Sequence, residues 1–155
     1  MSVLNPNEAF RKTLYGARVT SEVTVIAETA DKPLFTITGG RVIITSLVGE
    51  VTDTIQAQAN DVKVKFNPTA SGADTDLCAA LEINGDAIGT LYGVSGDYSV
   101  ALQQGVLTLE GPAFGAPFIL SEGDIELDTV ADSTGEIEWT LTYVPYDDGA
   151  VVASA

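Results

Sequence analysis

Leu34–Val51 reads LFTITGGRVIITSLVGEV and is the most apolar run in the chain. Thr36, Thr38, Val42, Ile43, Ile44 and Thr45 are β-branched, and such side chains pack well on a pleated strand. Gly39-Gly40 separates two runs of this kind and can take the positive φ angles of a two-residue hairpin turn. The stretch therefore predicts a hairpin of Leu34–Thr38 with Arg41–Val51. The second strand is long and apolar enough to sit at the centre of a core.

The flanking sequence repeats the pattern. Val19–Thr29 reads as a strand, as does Asp53–Ala59 with Ile55, Ala57 and Ala59 on one face. Asn60-Asp61 reads as a turn before Val62–Phe66, where Val62, Val64 and Phe66 point in and Lys63 and Lys65 point out. Asn67–Thr75 is a loop by composition. Leu77–Ile83 has helical composition but strand length, and is read as a strand paired with Ala87–Val94 across the turn Asn84-Gly85-Asp86. Tyr98–Leu109 reads as two short strands around Gln103-Gln104-Gly105, and Glu110–Pro117 as an exposed loop or sheet edge carrying Phe114. Ile119–Thr129 and Gly135–Tyr146 read as a last hairpin. About ten short strands with frequent turns predict an all-β fold, an antiparallel β-sandwich or jelly roll. Three parts are expected: an N-terminal arm or short helix (1–18), the sandwich (19–146) and a mobile C-terminal tail (147–155).

The chain has 155 residues, enough for one domain with a real core. Its net charge is −15, from 7 Lys and Arg against 22 Asp and Glu. An acidic body repels nucleic acid and anionic membrane, since binding either requires Lys and Arg against phosphate. No apolar run approaches the roughly 20 residues of a membrane span. The first residues lack the basic-then-apolar pattern of a signal peptide, so synthesis in a cytoplasm is expected.

Histidine is absent and Cys78 is the single cysteine. No disulfide can form within the chain, the usual zinc ligand sets are missing, and so are the Ser-His-Asp and Cys-His nucleophile arrangements. Paired carboxylates facing across a cleft would suit a glycosidase, but 22 acids make such pairs inevitable. Trp139 could stack on a sugar, yet its place in Ile137-Trp139-Leu141-Tyr143 fits a core position better. The sequence reads as non-enzymatic, with no cofactor and no small-molecule substrate.

Two features point to binding. Asp124, Glu126 and Asp128 share one strand face, and Glu136 and Glu138 one face of the next. Side by side, these rows would repel, and a Ca²⁺ ion would relieve that; a solvated acidic face and docking to a basic partner are the alternatives. The second feature is the leader. Asn5-Pro6-Asn7-Glu8 resembles a helix start, with Phe10, Leu14 and Ala17 at helical spacing. Phe10, Arg11, Lys12, Tyr15 and Arg18 make it the one basic, aromatic segment on an acidic body. It either folds back on the body or serves as an interaction arm.

The run from Leu34 to Asp97 resembles a family of small virion proteins of tailed bacteriophages. The matching features are the expected Phe35–Ile44 hairpin, Ile55-Gln56-Ala57-Gln58, Asn67-Pro68-Thr69 with Asp76-Leu77-Cys78, and Asp86-Ala87-Ile88-Gly89-Thr90-Leu91-Tyr92. Glu138–Ala150 adds a second, shorter likeness. Within that family the chain is most similar to a capsid decoration, or cement, protein. The resemblance implies a β-rich homotrimer on the outside of a phage head, bound to the major capsid protein and stabilising the shell. A tail or head–tail virion component is an alternative. So is a carbohydrate-binding sandwich using Tyr92, Tyr98 or Phe114.

Overall fold

The computed structural model describes residues 6–22, 24–26, 31–109 and 117–155. One helix, α1 (Pro6–Tyr15), precedes thirteen strands among the described residues. In chain order these are β1 (Ala17–Thr20), β2 (Thr24–Val25), β3 (Lys32–Thr38), β4 (Val42–Asp53), β5 (Asn60–Pro68), β6 (Thr75–Asp76) and β7 (Leu81–Ile83). They continue with β8 (Thr90–Gly93), β9 (Gln103–Val106), β10 (Phe118–Leu120), β11 (Gly123–Thr129), β12 (Glu136–Pro145) and β13 (Val151–Ser154).

The strands form a sandwich of two antiparallel sheets, the expected fold class. The first sheet runs β1-β12-β4-β8-β9, with β2 also on β12 and β10 also on β4. The second runs β13-β3-β11-β5-β6, with β7 also on β5. The apolar faces meet in a single core that includes Phe35, Ile37, Val42, Leu47, Val64, Ile125, Trp139 and Leu141. The alternation on β12 is regular: Ile137, Trp139, Leu141 and Tyr143 point inward and Glu136, Glu138, Thr140 and Thr142 outward.

The expected hairpin at Gly39-Gly40 is not formed. β3 pairs with β11 and β13, and β4 with β12, β8 and β10, so the glycines carry the chain from one sheet to the other. Both have positive φ, 78° and 129°. A Cβ on Gly39 would lie 2.6 Å from the carbonyl oxygen of Gly149, so the crossing is tight as well as left-handed. The last expected hairpin fails in the same way, with β11 in the second sheet and β12 in the first. So does the pairing of Leu77–Ile83 with Ala87–Val94, since β7 joins β5 and β8 joins β4. A short turn with strand on both sides looks the same in sequence whether it closes a hairpin or bridges two sheets.

Other segments differ locally. Asp53–Ala59 is not a strand beyond Asp53. Ile55 is buried there, but Ala57 and Ala59 are exposed. Asn60-Asp61 opens β5 instead of turning the chain. Gln103-Gln104-Gly105, expected as a turn, lies within β9. The tail expected to be mobile contains β13, which pairs with β3 from Val151↔Thr38 to Ser154↔Phe35. Ala17 and Arg18, assigned to the arm, belong to β1. Phe114 and most of its loop lie outside the described residues.

Candidate functional site: a basic helix over a polar sheet face

α1 is held at its C-terminal end. Gly16 has φ 90° and its N–H donates to the carbonyl of Lys12 at 3.0 Å, closing the helix with a left-handed residue. The chain then turns directly into β1, which pairs with β12 from Ala17↔Tyr143 to Thr20↔Thr140. The Thr45 hydroxyl donates to the Tyr15 carbonyl at 2.7 Å. Thr142 Oγ1 lies 2.7 Å from both Thr45 Oγ1 and Ser46 Oγ. These hydroxyls tie the helix end to the outer face of the first sheet.

Between helix and sheet lies a groove of about 520 Å³ lined by Arg11, Lys12, Tyr15, Arg18, Ser46 and Thr142, together with Gly16 and Ala17. Arg11, Lys12 and Arg18 are exposed and make no ion pair among the described residues. Phe10 and Leu14, one turn apart on α1, are 66% and 54% exposed. A ten-residue helix is marginal alone in water, and this one leaves Phe10 and Leu14 more than half exposed. Its guanidinium and ammonium groups suit carboxylates on a partner, and Phe10 and Leu14 suit an apolar pocket.

Four of the five leader residues named from sequence, Arg11, Lys12, Tyr15 and Arg18, thus line one groove, while Phe10 stands exposed on the helix beside it. Leu14 belongs with Phe10, and its i+4 spacing was the available signal. Ser46 and Thr142 could not be placed there from sequence, because the β4–β12 register brings them together.

The acidic strand face is resolved differently from expectation. Asp124, Glu126 and Asp128 lie opposite Asn67, Lys65 and Lys63 of β5, not beside Glu136 and Glu138. Asp124 accepts a hydrogen bond from the Thr36 hydroxyl at 2.7 Å. Lys63 bridges Asp76 at 2.9 Å and Asp128 at 3.5 Å. Lys65, expected in solvent, is buried, and its ammonium contacts Asp31, Asp74 at 2.8 Å and Glu126 at 3.7 Å. Burial alone would lower its pKa, but the hydrogen bonds to Asp31 and Asp74 outweigh that and hold it above the ordinary lysine value. Asp31, Asp74 and Glu126 bring one oxygen each within 4.8 Å of one another, and the Lys65 ammonium supplies positive charge among them.

The aromatic candidates separate. Trp139 and Tyr92 are buried, and the Tyr92 hydroxyl donates to Asp86. Tyr98 is exposed, with its ring stacked on Phe118 at 5.4 Å between centroids. Cys78 is fully buried against Val64, whose N–H donates to its sulfur at 3.3 Å, and burial pushes its thiol up to about 11. Among the described residues no helix is long and apolar enough to cross a membrane. No protein-family model, curated protein or solved structure matches this chain.

Proposed function

We propose that the chain is a structural virion protein, a decoration or cement protein on the outside of a phage head, which works by docking and not by catalysis. The likeness over Leu34–Asp97 supports the virion assignment. One observation supports docking above the others: α1 holds Phe10 and Leu14 in the open beside three of the chain's seven cations. An acidic body with a basic, apolar projection is suited to a partner carrying carboxylates around an apolar pocket. The partner proposed is the major capsid protein.

The test is co-sedimentation with shells of that capsid protein. The full chain pellets with the shells, and a chain lacking residues 1–15, which keeps β1 intact, stays in the supernatant. Equal pelleting of both would remove α1 from the contact.

A carbohydrate-binding reading is favoured by one feature, the exposed Tyr98 ring held flat on Phe118. Glycan-dependent quenching of tyrosine fluorescence that disappears in Tyr98→Ala would support it. Its absence across a glycan panel would close it.

A further inference from the structure

The outer face of the first sheet is polarised along its strands. At one end Arg18 stands opposite Thr142, with Arg11 and Lys12 of α1 beside it. In the middle Thr20 pairs with Thr140, and Thr140 with Val48. At the other end Glu138 stands directly opposite Glu50, and Glu136 opposite Asp53. Like charges directly opposite on adjacent strands are unfavourable, and none of these four acids makes an ion pair among the described residues. Thr142 and Glu138 are four positions apart on β12, about 13 Å along a strand. One face thus carries unpaired cations at one end and opposed, unpaired carboxylates at the other.

We infer that a second copy of this chain docks on this face, turned end for end, so that the basic end with α1 of each copy covers the acidic end of the other. A two-fold axis lying between the faces and across the strands does this, and such a contact uses the same patch on both partners. An axis along the strands would set cations on cations. The acidic end also offers apolar surface to Phe10 and Leu14, since Leu91 of β8 lies beside Glu50, and Val48 is two residues away on β4, both half-buried. The inference rests on α1 being a docking element and names its partner when no shell is present, so it stands or falls without any capsid.

The test is the mass in solution, by light scattering after size exclusion, of three proteins. One is the full natural chain. The second has reversed arm charges (R11E, K12E, R18E), and the third has reversed face charges (E50K, E138K). One chain is 16.1 kDa. The natural chain at low salt gives about 32 kDa and falls towards the single-chain mass as salt rises. Each variant alone gives the single-chain mass. An equimolar mixture of the two returns to about 32 kDa, because the mixed pair has one charged contact in its natural sense and the other in reversed sense. That recovery also shows that both variants are folded. A single-chain mass for the natural protein at low salt overturns the inference. So does a mass of about 48 kDa, which is the threefold assembly of symmetric rings, or a mixture that stays at the single-chain mass.

Discussion

Lys65 and Glu126 stand directly opposite one another on β5 and β11, each only 7% exposed. Asn67 donates to the other Glu126 oxygen at 3.1 Å, and Asp31 and Asp74 close over the lysine from loops. Removing the cation would leave a carboxylate buried without a counter-charge. Lys65→Ala is expected to lose about 3 kcal/mol of stability, read by chemical denaturation. Lys63→Ala, whose side chain is 30% exposed, should lose less than about 1 kcal/mol. Similar losses for the two would mean that Lys65 is not the central counter-ion.

Arg41 and Asp147 latch the Gly39-Gly40 crossing to the segment before β13. The guanidinium donates to both carboxylate oxygens at 2.8 Å, the Arg41 N–H adds a third bond at 2.8 Å, and the cation lies 4.7 Å from the centre of the Tyr146 ring. These bonds depress the Asp147 carboxyl to about 2. A depressed folded pKa stabilises above the unfolded value, and that contribution is lost as pH falls through the folded one. The latch therefore holds from neutral pH down to about 4 and fails between there and about 2. Carboxyl NMR titration should place Asp147 near the bottom of that window, and Arg41→Ala should return it to the ordinary range.

Trp139 is fully buried, and its ring faces Gly49 across the β4–β12 ladder. A Cβ at Gly49 would lie 3.0 Å from both the indole and the Ile137 Cγ2. Gly49→Leu should therefore cost about 1–3 kcal/mol through overpacking. It should also shift the emission of the chain's single tryptophan, which burial in the natural protein is expected to hold at short wavelength. Unchanged emission and stability would show that the indole has room to move.

Cys78 offers a reporter of opening. Its thiol is buried and its pKa raised to about 11, so both access and thiolate fraction are low. A thiol reagent at neutral pH should label it only at the rate of unfolding, following denaturant as global stability does. Fast labelling under native conditions would mean that the β5 side of the core opens locally.

The sequence carried the fold class because period-two alternation survives in β5, β11 and β12, where one face of each strand is buried. It did not carry the connectivity. β3–β4, β7–β8 and β11–β12 are neighbours in sequence but lie in different sheets, and turn chemistry does not distinguish a hairpin from a crossing. The Lys65 cluster was hidden for the same reason: VKVKF alternates as an exposed strand does, and only the register with Glu126 and the closing of Asp31 and Asp74 bury that lysine. The leader was legible because charge and aromatic content are local. The acidic end of the same sheet face was not, because Glu50 and Glu138 are far apart in the chain.

The central claim is that α1 is the docking element, and the most direct measurement is the affinity of a surface variant for capsid shells. Phe10→Ser, Leu14→Ser and Arg11→Glu together leave every strand untouched. They should weaken shell binding at least about tenfold while the free protein keeps its far-ultraviolet β-sheet spectrum and a cooperative unfolding transition. Shell binding at the natural affinity in that variant would contradict the account.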